Sequence, residues 1–113
     1  METEAIAITR NVRVSPIKAR LVVDQIRGKD VESAMQILEF SRKHFALSLI
    51  ETLKSAVANA ENNYGLDVDT LYVSSAMIDK GLTIKRFRPR ARGRASRILK
   101  RSSNVTVGVR SKV

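Results

Sequence analysis

The densest chemistry in this chain lies in ten residues, Lys85-Arg86-Phe87-Arg88-Pro89-Arg90-Ala91-Arg92-Gly93-Arg94. Arginine occupies every even position from 86 to 94. In an extended chain successive side chains point to opposite faces, so residues of equal parity form one cationic row. A turn must break that row, and Pro89 and Gly93 are the residues that allow one. Between residues 85 and 101, arginine outnumbers lysine seven to two. The guanidinium is a planar fork of donors that matches phosphate oxygens and also stacks on bases, whereas lysine would suffice if bulk charge were the only need. The chemistry expected is therefore recognition of a polyphosphate backbone. Phe87 has two uses open to it, stacking on a base or packing against the opposite arm.

Charge along the chain sharpens this reading. All eleven acidic residues stand at or before Asp79, where they face nine basic ones. The last thirty-four residues hold twelve Lys and Arg and no acid, so the formal net charge of +10 is concentrated there. Such a segment repels itself unless an anion neutralises it. Two plainer readings compete. A solvated loop or a device against sheet aggregation needs some charge, but nine cations without one acid exceed that need. Membrane-surface binding asks for an amphipathic helix with an apolar face, and this stretch offers only Phe87, Ile98 and Leu99. Nucleic acid remains. A second basic set, Arg10, Arg13, Lys18, Arg20, Arg27 and Lys29, surrounds the end of a first strand and a first helix. It reads either as an ordinary charged helix face or, if it adjoins the arm, as part of one phosphate-binding surface.

Nothing else in the sequence forms a catalytic constellation. His44 is the single histidine, beside Arg42 and Lys43 at a helix start, and reads as a surface or capping residue. Asp67 and Asp69 read as turn residues rather than metal ligands. Walker and GxGxxG loops are missing, and so is cysteine, which excludes disulfides and thiolate metal sites. The expectation is a protein that is not an enzyme and uses no cofactor or metal. The acidic start Met1-Glu2-Thr3-Glu4, with no apolar run behind it, does not read as a secretory signal. No apolar stretch approaches a membrane span.

A single α+β domain is expected to position these residues. Its globular part takes in about 1–79 and 102–113, and a basic hairpin extends over about 80–101. Residues 3–12 alternate, with Ile6, Ile8 and Val12 in step, as a short strand. Ser15-Pro16 predicts a helix start, with a hydroxyl N-cap and proline at N1. Ala19, Val22, Val23 and Ile26 follow at helical spacing until Gly28. Asp30 predicts the cap of a second helix running to about Phe40, with Val31, Ala34, Ile37 and Leu38 inward. Ser41 predicts the cap of a third. There Ala46, Leu49, Ile50, Leu53, Val57 and Ala60 make the strongest helical period in the chain, stopped by Asn62-Asn63-Tyr64-Gly65. Beyond residue 66 the period becomes two, predicting strands around 71–76 and 105–110. A structureless connection between them would be too long for a compact domain, so an extended hairpin turning near Pro89–Gly93 is the economical solution. Each arm would run about ten residues, or roughly 30 Å. Aromatic residues are scarce, so the core should be aliphatic.

The chain also resembles a known family. Ser15-Pro16-Ile17-Lys18-Ala19-Arg20, continuing to Ile26-Arg27-Gly28-Lys29, is similar to that family's N-terminal motif. Ser55-Ala56-Val57-Ala58-Asn59-Ala60-Glu61-Asn62-Asn63 is similar to its long helix. Lys85 through Ala95, followed by Ile98-Leu99-Lys100-Arg101, is similar to its hairpin. The family is the bacterial-type large-subunit ribosomal protein, twenty-second of the L series, and the resemblance covers essentially the whole chain in order. Small departures are Asn104 where His is frequent, Gly108 where a β-branched residue is common, and Ser96 where an acid is often seen. None touches the hairpin tip.

The resemblance implies three helices packed on a small three-stranded antiparallel sheet, with a long protruding basic β-hairpin. It implies a structural, cytoplasmic component of the large ribosomal subunit that assists subunit assembly. The partners implied are large-subunit rRNA, neighbouring ribosomal proteins and the nascent polypeptide, with no membrane. The hairpin would thread through rRNA by Lys80, Lys85, Arg86, Arg88, Arg90, Arg92, Arg94, Arg97, Lys100 and Arg101. Its tip, with Ile84, Lys85, Arg86, Arg90, Ala91, Arg92 and Gly93, would line the peptide exit tunnel near the macrolide site. From the globular part, Arg10, Arg13, Ser15, Lys18 and Arg20 would meet rRNA. The rival function is an architectural DNA-binding protein with basic β-arms.

Overall fold

A computed structural model describes residues 4–81, 84–89, 95–100 and 102–112, the second and third of these stretches as backbone only. The order of elements is β1 (Glu4–Val12), α1 (Pro16–Val23), α2 (Val31–Glu39), α3 (Phe45–Tyr64), a 3-10 turn (Val68–Thr70), β2 (Leu71–Lys80), β3 (Ile84–Pro89), β4 (Ala95–Lys100) and β5 (Ser103–Ser111). β1, β5 and β2 form one antiparallel sheet with β5 in the middle, and β3 and β4 form a separate two-stranded ribbon. The three helices lie on one face of the larger sheet, α3 against β1 and β5, and α1 and α2 against β2. This is the α+β arrangement expected.

The core is aliphatic. Val105, Val107 and Val109 of the central strand are fully buried, opposite Leu49 and Leu53 of α3 and beside Val73, Ala76 and Ile78 of β2. Among the described residues Phe45 is the one aromatic residue of the core, while Phe40 stands 86% exposed. Val105 to Val109 alternate because a strand buried on one face must alternate. The same rule exposes a surprise in β1. Ala5 and Ala7 face the helices, while Ile6 and Ile8 are 47% and 52% exposed on the outer face. The apolar alternation at 6 and 8 is therefore out of phase with the core. Small side chains suit β1 because α3 packs against it with its own Ala56 and Ala60. Asn11 adopts a left-handed φ of 58°, and the register with β5 shifts between Thr9 and Val12. Asparagine tolerates this conformation, and the bulge reverses the phase so that Val12 packs against the core.

Helix ends are fixed by local chemistry, with three corrections. Ser15 and Asp30 are extended at the N-cap positions of α1 and α2, but neither side chain makes a cap bond. α1 ends at Val23, five residues before Gly28. The chain continues in tighter turns through Gln25 N–H to Val22 C=O and Ile26 N–H to Val23 C=O. Gly28, at φ 81°, then hands the chain to β2 by donating its N–H to Val73 C=O at 2.9 Å. Ser41 does not cap α3. Its Oγ accepts the Lys43 N–H at 3.2 Å in a local turn, and the helix begins after His44, which occupies the N-cap with no side-chain bond. At the other end Gly65, at φ 64°, terminates α3 in the left-handed conformation. Thr52, outside any apolar period, is buried on α3. It satisfies its hydroxyl with Ser48 C=O at 2.9 Å and Thr9 Oγ1 at 2.7 Å.

The ribbon departs from the last pair of the larger sheet, Lys80 opposite Ser103. Gly81 donates its N–H to Ser102 C=O at 2.9 Å. A Cβ at Gly81 would come within 2.7 Å of Ser102 Oγ and 3.1 Å of its carbonyl carbon. Pairing resumes with Ile84 opposite Lys100, and closes with Pro89 opposite Ala95. The chain measures 66 × 26 × 17 Å with a radius of gyration of 17.3 Å, against about 13 Å for a compact domain of this size.

Candidate nucleic-acid interface

The arm carries the first part of the candidate interface. Its antiparallel register sets Lys85 opposite Leu99, Arg86 opposite Ile98, Phe87 opposite Arg97 and Arg88 opposite Ser96. Lys85, Arg86, Arg88, Arg97 and Lys100 thus stand on two paired strands, with Ile84 at the start of β3. Lys80 is exposed at the end of β2. Arg90, Ala91, Arg92, Gly93, Arg94 and Arg101 lie outside the described residues, as do the turn near Pro89–Gly93 and the side chain of Phe87. Arg86 and Arg88 of the alternating arginine run both lie on β3.

The body supplies the second part, and here the basic set divides. Arg10, Arg13, Lys18 and Arg20 are all exposed. β2 is an edge strand, and unpaired edge carbonyls need partners. Arg20 Nη2 donates to Ile78 C=O at 3.3 Å. Arg27 donates from Nε and Nη2 to Ala76 C=O at 3.3 and 2.6 Å, and its Nη1 meets Asp24 Oδ1 at 2.7 Å. Lys29 closes the same edge through its backbone, its C=O accepting Val73 N–H at 2.8 Å. The Arg27 side chain therefore serves the edge of the sheet, Arg20 is shared between the edge and solvent, and Lys29 contributes its backbone while its residue stays exposed. Ser15 is half-buried, its C=O accepting Ala19 N–H in the first turn of α1.

Arg13 and Lys18 have company that sequence spacing does not disclose. With Lys43 and His44, from the entry to α3, they line a cleft of about 340 Å³ whose deeper wall includes Val14, Val22 and Phe45. The available signal was the run Arg42-Lys43-His44 ahead of a helix with no acid in its first turn. Asp67 does turn duty as expected, its Oδ1 accepting Asp69 N–H at 3.1 Å. Among the described residues no group of His, Asp and Glu could hold a metal ion, and no helix is long and apolar enough to cross a membrane.

Two carboxylates of the body have partners across the sheet or at its end. Glu4 meets Arg110 Nε at 3.2 Å and accepts Ser74 Oγ at 2.5 Å, and Asp30 pairs with Lys112. Glu4 crosses the sheet over Gly108, where a Cβ would lie 2.8 Å from its Cδ and 2.5 Å from Ser75 Oγ. That close approach explains a glycine at 108. Asn104, the other departure on β5, accepts the Asn11 N–H with Oδ1 at 3.0 Å and so satisfies the bulge.

The model of the ribosomal protein L22p/L17e family matches residues 7–110. The chain belongs to this family. A curated relative named large ribosomal subunit protein uL22, from Magnetococcus marinus, is 65% identical over 106 residues, covering 94% of both chains. Two others of that name come from Methylorubrum populi and Clostridium novyi. They are 56% and 51% identical, each over 96% of this chain and over 86% and 98% of their own length. Family membership makes the chain a structural, non-catalytic ribosomal protein. That agrees with the twelve Lys and Arg that the sequence places beyond residue 79.

Proposed function

We propose that this chain is a structural rRNA-binding protein of the large ribosomal subunit, working in the cytoplasm where the ribosome works. Its body sits on the subunit surface, and its arm threads between rRNA segments. The arm neutralises phosphates that would otherwise repel, which lets those segments pack and assists assembly. One observation carries this reading. Nine cations and no acid fall within residues 85–101, and the described parts of that stretch form a paired two-stranded ribbon outside the core. The tip, residues 84–94, lines the nascent-peptide exit tunnel near the macrolide site, with Ala91 and Gly93 keeping the passage open. Neighbouring ribosomal proteins and the nascent chain are its other partners. From the body, Arg10, Arg13, Lys18 and Arg20 add phosphate contacts, and Ser15 lies among them.

Binding is then dominated by counterion release. The affinity of the full chain for large-subunit rRNA should fall by a factor of about 10³ or more from low to moderate salt. In cells, the tagged protein should co-sediment with large subunits at one copy each and survive a high-salt wash. A nearly flat salt response would reject phosphate neutralisation by the arm, and comparable affinity for mixed-sequence duplex DNA, with bending, would favour an architectural DNA binder instead.

A further inference from the structure

The cleft between the end of β1, α1 and the start of α3 has a composition that the arm lacks. Val22 and Phe45 are buried in its depth, and Val14 is half-buried beside them. Arg13, Lys18 and Lys43 stand exposed around it. Among the described residues no carboxylate lines it. The first turn of α3 contains no acid and no side chain caps it, so the positive end of a 20-residue helix faces the same region uncompensated. A purely electrostatic surface has no use for an apolar recess, and a protein-core contact has no use for three cations at its mouth. At about 340 Å³ the space is near the small end of ligand pockets, which run roughly 300–1,000 Å³.

We infer that this cleft receives one unpaired nucleotide of large-subunit rRNA, its base in the apolar recess and its phosphates at Arg13, Lys18 and Lys43. An unstacked base presents a flat apolar face flanked by negative charge, and RNA recognition generally targets bases splayed out in this way. Ser48, on the first turns of α3, lines the cleft and offers a hydroxyl to a base edge. The inference rests on the proposed rRNA binding and adds to it a second anchor. The arm grips backbone, whereas the cleft holds a single base and so fixes where the body sits.

The test compares wild type, Ser48→Tyr and an arm-deleted chain in which Asn-Gly replaces residues 82–101. Each is measured by affinity for large-subunit rRNA and by nucleotide-resolution chemical reactivity of that RNA. Ser48→Tyr fills the cleft without altering charge. It should weaken binding about tenfold to a hundredfold, the worth of one stacked base. It should also restore reactivity at one or two nucleotides that the arm-deleted chain still protects. Lys18→Gln with Lys43→Gln is the second variant. It should expose the same nucleotides and lower the logarithmic salt slope by about 1.4, and it decides the matter if Ser48→Tyr fails to fold. Wild-type affinity and an unchanged footprint in the folded variants would overturn the inference while leaving arm-mediated binding intact. That result would include the case in which the cleft takes a residue from a neighbouring protein. No protection by wild type at all would remove the rRNA reading, and this inference with it.

Discussion

In the body, Arg27 reaches Asp24 and the Ala76 carbonyl, Glu4 reaches Arg110, and Asp30 reaches Lys112. Along β3 and β4, Lys85, Arg86, Arg88, Arg97 and Lys100 follow one another with no carboxylate in the same stretch of chain. The body is stabilised by what it buries, chiefly the valines of β5 against α3. The arm is a two-stranded ribbon, and such a ribbon is marginal alone in water. One chain thus contains a part that folds by excluding water and, on the proposed function, a part that an anionic partner would steady. The expectation is that each part can be altered with little effect on the other.

The largest separation should come from removing the arm. Replacing residues 82–101 by Asn-Gly, a dipeptide suited to a two-residue hairpin, should cut rRNA affinity by about a thousandfold or more. The thermal midpoint of the body should stay within a few degrees. Loss of the body's cooperative unfolding transition would show that the two parts are not independent. Leu53→Ala tests the reverse. Leu53 is fully buried in α3, so truncation should cost about 2–5 kcal/mol in denaturant unfolding. Subunits that do incorporate the variant should keep the arm's footprint.

Smaller effects sharpen the boundary. Gly108→Val should destabilise the body by about 1–3 kcal/mol, because the new atoms collide with Ser75 Oγ and the Glu4 side chain. Pairing it with Glu4→Ala should recover part of that loss, and no recovery would discount the crossing carboxylate as the cause. Arg27→Ala removes two donors from the β2 edge. With that side chain 47% exposed, about 1 kcal/mol is expected after allowance for solvent screening. Its rRNA affinity should match wild type, since Arg27 serves the edge. A clear drop in affinity at unchanged stability would return Arg27 to the interface.

Much of this was legible along the chain. Pro16 and Gly65 mark helix ends through the local constraints of a fixed φ and a left-handed φ. The alternating valines of β5 and the helical stripe of α3 reveal their elements by period. The partition of charge needs only counting, and it points to a polyanion before any coordinate is known. Ser41 and Ser15 show the limit even of local reasoning. Both have cap chemistry, yet one side chain turns to Lys43 and the other makes no cap bond. What tertiary structure decided depends on residues far apart in sequence. Alanines rather than isoleucines of β1 face inward because the bulge at Asn11 and the packing of α3 set the phase. Arg27 differs from Lys18 because Ala76, forty-nine positions away, has an unpaired carbonyl on a sheet edge. Arg13, Lys18 and Lys43 surround one recess only once α1 and α3 are packed. Periodicity and charge are properties of neighbours along the chain, whereas register and edge position are properties of the pairs that folding creates.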